Sequence, residues 1–99
     1  MPFIKVADAN EIKPGEGRTV DANGAMIALF NLNGTFYAID NTCPHRGGPL
    51  GEGKLDGNNV ICPWHGWQFD VTTGKSPFMP VGVRAFEVKV EGNDVLVNV

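Results

Sequence analysis

The chain has 99 residues, 42% of them hydrophobic and 19% charged, which suits a single domain with its own core and argues against disorder. Eleven acidic and eight basic residues leave a net charge of −3, so there is no polycationic surface and nucleic acid is not an expected partner. No stretch approaches the roughly 18 uninterrupted apolar residues of a membrane span, and the opening Met1-Pro2-Phe3-Ile4-Lys5-Val6 lacks the basic-then-apolar pattern of a signal peptide. A cytoplasmic monomer with no membrane partner is expected.

Thirteen glycines and seven prolines predict many tight turns, hence strands and shaped loops. Residues 3–7 have strand character, and residues 8–12 read as a helical turn ended by Pro14-Gly15. Residues 18–20 form a short strand before the Asn23-Gly24 turn. Residues 26–32 are apolar and strand-like, and Asn33-Gly34 joins them to residues 35–39 as a hairpin, because Asn and Gly both tolerate positive φ. Residues 84–90 alternate in polarity, Glu91-Gly92-Asn93 turns, and residues 95–99 alternate again. The expected fold is all-β and antiparallel.

Residues 40–75 differ. They are crowded with Gly, Pro, Asn, Cys, His and Trp and hold only short apolar runs such as Val60-Ile61. So long a loop-rich stretch in a small domain points to function. Both cysteines and both histidines of the chain fall inside it, in the related segments Cys43-Pro44-His45-Arg46-Gly47 and Cys62-Pro63-Trp64-His65-Gly66. Sixteen residues separate His45 from Cys62.

Three readings compete for these four residues. A Cys43–Cys62 disulfide ignores the histidines and suits a reducing cytoplasm poorly. A tetrahedral zinc site accepts two Cys and two His, although the commoner zinc spacings group like residues together. A two-iron cluster explains the mixed pairs directly, each segment sending its Cys to one iron and its His to the other.

The segments CPHRGGPL and CPWHGWQFD resemble Rieske ferredoxins and the Rieske domains of ring-hydroxylating oxygenases. The resemblance continues through Asp70-Val71-Thr72-Thr73-Gly74 and residues 77–80 into the C-terminal strands, and so covers nearly the whole chain. It implies a β-sandwich with a small, loop-rich cluster-binding subdomain at about residues 41–76, holding one [2Fe–2S] cluster on Cys43, His45, Cys62 and His65. It also implies that Pro80 closes a third loop over the cluster, with Pro77 the competitor for that role. Around the cluster, Gly47, Gly48, Gly51, Gly53 and Gly66 either allow close backbone approach to the sulfides or serve turns, Trp64 and Trp67 are packing or docking aromatics, and Arg46 meets an acidic partner or is solvated. High-potential members carry two further cysteines, at the positions of Gly48 and Trp64, and hydroxyls at those of Trp67 and Phe69. None is present here, so a low to intermediate potential is expected.

Two ferric ions, two sulfides, two thiolates and two neutral imidazoles sum to zero charge, whereas an all-cysteine cluster is doubly negative. Adding an electron to the neutral cluster meets less repulsion, which is consistent with Rieske potentials of about −150 to +300 mV against about −400 mV for plant-type ferredoxins. The expected role is one-electron transfer, with a flavin-dependent NAD(P)H reductase and a terminal oxygenase or reductase as partners. The small subunit of a nitrite-reductase-like complex is the alternative. An oxygenase acting alone is excluded, because its iron site needs two further histidines and a carboxylate, and His45 and His65 are the only two in the chain.

Overall fold

Both Asn-Gly pairs make the turns their sequence predicts. Asn23 and Asn33 have φ of 57° and 52°, followed by Gly24 and Gly34 at 92° and 94°. Each turn is braced by a side chain from the preceding strand: Asp21 Oδ1 accepts the Gly24 N–H at 2.6 Å, and Asn31 Oδ1 accepts the Gly34 N–H at 2.7 Å. These turns join three consecutive strands, β2 (Gly17–Ala22), β3 (Ala25–Leu32) and β4 (Thr35–Asp40). The remaining long strands are β1 (Phe3–Asp8), β8 (Ala85–Glu91) and β9 (Asp94–Asn98). The helical turn predicted at residues 8–12 is a single 3₁₀ turn at Ala9–Glu11. This computed structural model describes residues 3–44, 47–64, 66–78 and 80–99.

Six strands pair antiparallel in the order β1-β9-β8-β4-β3-β2. The two halves of this sheet meet through only two residue pairs, Ala38 with Phe86 and Ile39 with Ala85. So slender a seam lets the halves fold over each other as a sandwich. Val20, Ile27, Leu29 and Ala38 of one half pack into a shared core with Ala7, Val95 and Val97 of the other.

Strand β3 is buried on both faces, which explains why its sequence is a continuous apolar run instead of an alternation. Ile27 and Leu29 face the sandwich core. Ala28 and Phe30 face a second core, shared with Ile39, Leu50, Val60, Phe69, Val71, Cys43 and Cys62.

That second core carries structure the sequence reading left as loop. Residues 40–75 hold a three-stranded antiparallel sheet, β5 (Lys54–Asp56), β6 (Asn59–Ile61) and β7 (Gln68–Asp70), in the order β5-β6-β7. Each strand is three residues long and contributes one apolar residue to the same line: Leu55 pairs with Val60, and Val60 with Phe69. Three residues are too few to display a period of two, so only Val60-Ile61 stood out. The result is three layers, with the β2-β3-β4 half in the middle and the small sheet and its loops outside.

Candidate metal centre

The two Cys-containing segments fold into loops with the same hydrogen-bond pattern. In the first, the Cys43 N–H donates to the Gly48 carbonyl at 3.0 Å and the Gly47 N–H returns to the Cys43 carbonyl at 2.8 Å. In the second, the Cys62 N–H donates to the Trp67 carbonyl at 2.7 Å and the Gly66 N–H returns to the Cys62 carbonyl at 3.0 Å. Gly47 and Gly66 both have φ of 75°, a region where an L side chain is penalised. The recurrence of glycine four residues beyond each cysteine therefore has a conformational cause.

Both cysteines are buried, and neither is disulfide-bonded, so the disulfide reading does not hold. The loops touch directly. A Cβ placed on Gly48 would lie 2.8 Å from Cys62 Sγ and 3.2 Å from the Trp64 ring. The first loop thus lies against the second loop's sulfur, and glycine at position 48 permits it. The described loop residues, Cys43, Pro44, Gly47, Gly48, Pro49, Cys62, Pro63, Trp64, Gly66 and Trp67, include no charged side chain. Lys5 and Glu11, whose titrations are displaced, belong to β1 and the turn after it.

Two buried thiols, presented by matching loops within one apolar cluster, suit a thiolate-held iron–sulfur group. In the sequence each loop carries a histidine shortly after its cysteine, His45 two residues beyond Cys43 and His65 three beyond Cys62. His45, His65 and Arg46 lie outside the described residues. Trp67 is partly buried against the second core, whereas Trp64 is 57% exposed at the loop surface. Pro80 is exposed and borders a hollow of about 460 Å³ with Thr73, Lys75, Ser76, Val81, Gly82 and Val83. The turn carrying it is closed at its base by the Ser76 N–H to the Val81 carbonyl at 3.0 Å and by a bridge between Lys75 and Gly82. Gly51 lies against Thr19 and Arg18, and Gly53 against Ile61 and Val60.

The sequence reading passed over Asn41. This residue is 8% exposed, two positions before Cys43, and holds the first loop at its base. Its one signal, a polar residue just ahead of a ligand segment, is indistinguishable from an ordinary loop asparagine.

Residues 2–97 match the Rieske [2Fe-2S] domain. Ferredoxin CarAc of Metapseudomonas resinovorans is 41% identical over 98 residues, covering 96% of this chain and 92% of that protein. The biphenyl dioxygenase ferredoxin subunit of Pseudomonas sp. (strain KKS102) is 38% identical over 101 residues, covering 99% and 93%. In structure, the ferredoxin of carbazole 1,9a-dioxygenase from Nocardioides aromaticivorans IC177 superposes with a TM-score of 0.91 at 32% identity, covering 98% of this chain and 97% of that one. The ferredoxin in a complex of reduced oxygenase and oxidized ferredoxin of carbazole 1,9a-dioxygenase matches with a TM-score of 0.87 at 39% identity, covering 96% and 91%. The matched family, the ferredoxin components most like it and the all-β fold agree: the chain belongs to the Rieske [2Fe–2S] family, an electron carrier and not itself a catalyst, with one Rieske-type cluster as its cofactor.

Proposed function

We propose that Cys43, His45, Cys62 and His65 hold the cluster, the cysteines on one iron and the histidines on the other. On this reading the protein carries single electrons from a flavin-dependent NAD(P)H reductase to a terminal oxygenase of the ring-hydroxylating kind. The observation that carries the assignment is the pair of matching loops, each with a buried cysteine at the same point of the same hydrogen-bond pattern. When bound, the cluster would supply a one-electron couple.

The chain's own residues then do three things. The loops bury both sulfurs among glycine, proline and tryptophan, which keeps bulk water from them. At Gly47 and Gly66 the positive φ closes each loop back onto the carbonyl of its cysteine, which shapes the cradle. Trp64 and Phe78, 57% and 72% exposed, offer apolar contact to a partner; exposed aromatics of this kind are favoured as interface anchors. Residues 41–76 act as the cluster-binding subdomain, with Arg46, Trp67 and Pro80 around the cluster. The oxygenase is favoured as electron acceptor because a 39% identical ferredoxin is known in complex with one. The carrier acts as a monomer in the cytoplasm, where both cysteines stay reduced until they bind iron.

The test is low-temperature EPR of the anaerobically purified, dithionite-reduced protein. A rhombic signal with average g below that of all-cysteine [2Fe–2S] ferredoxins supports mixed ligation. A colourless, silent protein with stoichiometric zinc overturns it. Electron delivery from a purified flavin reductase to a ring-hydroxylating oxygenase, measured as product formed per NAD(P)H consumed, tests the partners.

A further inference from the structure

We infer that Asn41 is a positioning residue for the cluster, tying the first cluster loop to strand β2 through Thr19. The inference rests on the assignment of Cys43 as a ligand.

The loop leaves and returns at this one residue. The Asn41 carbonyl accepts the Leu50 N–H at 2.7 Å, and Thr42 bridges Pro49 immediately inside that bond. The first loop is thereby pinned where it leaves and where it returns, with Cys43 near its entrance. The Asn41 N–H reaches back to the Met26 carbonyl of β3 at 3.3 Å. Its side-chain Oδ1 accepts two further donors, the Gly51 N–H at 2.8 Å and the Thr19 hydroxyl at 2.9 Å. One buried side-chain oxygen therefore joins the outgoing chain, the returning chain and the middle layer of the fold.

Gly51 shows how tightly these parts converge. A Cβ there would lie 2.6 Å from the Thr19 nitrogen and 2.8 Å from the Arg18 carbonyl carbon. Both are backbone atoms that cannot swing aside, so the returning chain is pressed onto β2 where Thr19 meets Asn41. Two peptide units separate this junction from Cys43, and the loop's inner bonds, Cys43 to Gly48 and Gly47 to Cys43, continue the constraint to the sulfur-bearing residue. A rigid second tier of hydrogen bonds that orients a metal ligand affects both retention and electronic environment of the metal. The Thr19–Asn41–Gly51 junction is placed to do this from beyond the ligand sphere.

Three variants separate positioning from plain stability. Asn41→Leu keeps the approximate volume and removes the acceptor, leaving the buried Gly51 N–H and the Thr19 hydroxyl without it. Thr19→Val removes one of the two donors at a site on another strand, and Thr19→Ser retains the hydroxyl. Each holoprotein is challenged with an iron chelator, cluster loss is followed by visible absorbance, and the reduced EPR spectrum is recorded.

Asn41→Leu is expected to lose its cluster about tenfold faster than the parent, the factor carried by a single strong net hydrogen bond. Its g values should shift or broaden. Thr19→Val should show the same changes to a smaller extent, and Thr19→Ser should behave as the parent. A purely structural role would lower the melting temperature and leave the g values of the remaining holoprotein alone, so unshifted g values together with parent-like cluster loss in Asn41→Leu overturn the inference. If Asn41→Leu does not fold, the Thr19 pair decides: Thr19→Val indistinguishable from Thr19→Ser overturns it. Absence of a rhombic signal from the unsubstituted protein overturns the ligand assignment and the positioning role together, whereas a normal parent signal with unaffected variants overturns the positioning role alone.

Discussion

Gly47 and Gly48 are neighbours in one loop, yet the structure assigns them opposite reasons for being glycine. Gly47 has φ of 75°, and a Cβ there would meet nothing closer than Thr42 Cγ2 at 3.9 Å. Alanine at 47 has room but the wrong backbone, at a cost of about 1–2 kcal/mol. Gly48 has no such conformational demand, but its Cβ would stand 2.8 Å from Cys62 Sγ, 0.6 Å short of ordinary contact at 3.4 Å. Alanine at 48 therefore presses on the sulfur and the Trp64 ring together, an overpacking cost of about 1–3 kcal/mol. The two changes cost similar free energies and place them in different parts of the molecule.

Urea unfolding followed by far-UV circular dichroism, together with the visible and EPR spectra of the holoprotein, distinguishes them. Gly47→Ala should lower the urea midpoint by about 1 M, for a slope near 1.5 kcal/mol per molar, with a smaller spectral change than Gly48→Ala. Gly48→Ala should change the spectra, because the atom it displaces is a cysteine sulfur. Parent-like spectra in Gly48→Ala would refute the close approach of the two loops. A spectral change in Gly47→Ala as large as in Gly48→Ala would refute the separation of backbone from packing effects.

Phe69→Ala removes a fully buried ring from the core that also holds both cysteines, and should destabilise the protein by about 3–5 kcal/mol, read from the same urea curve. Glu11 is held below its ordinary carboxylate value of 4.5, first by the Asp8 backbone N–H and then by the Arg18 side chain. Its folded value is depressed, so its contribution is present above the unfolded value and lost as pH falls through the folded one. Glu11→Gln should flatten the decline in melting temperature below about pH 4.5 and leave the neutral range little changed. On the proposed ligation His65→Cys adds a negative ligand and should lower the reduction potential of whatever cluster assembles; a potential unchanged or raised in protein-film voltammetry would contradict the charge argument.

The legible parts of this fold are those with a local signal. Asn23-Gly24 and Asn33-Gly34 fix their turns by positive φ, and the apolar run at 26–30 reports a strand buried on both faces. The four proposed ligands are marked in the sequence for a different reason, since cysteine and histidine are scarce and their grouping needs a cause. Strands β5 to β7 were not, because three-residue strands stabilised by a single line of Leu55, Val60 and Phe69 have no periodicity to read. Asn41 was hidden because its role arises from contacts with Thr19 and Gly51, at separations of 22 and 10 residues, that no local pattern encodes. The carbonyl of Trp67 as a partner for the Cys62 amide is similarly a property of the folded loop, not of tryptophan.

The double burial of β3 carries a cost for the chain before it acquires iron. Among the described residues its outer face, Ala28 and Phe30, joined by Ile39 from β4, is covered mainly by the layer containing the two cysteine loops. If that layer loosens without a cluster to tie it together, a flat apolar strand face is uncovered on an otherwise folded sandwich. Such a face invites another copy of the same chain. The supply of iron and sulfide would then govern solubility as well as electron flow, and overproduction beyond the cell's assembly capacity should fill inclusion bodies with chains whose sandwich half had already folded.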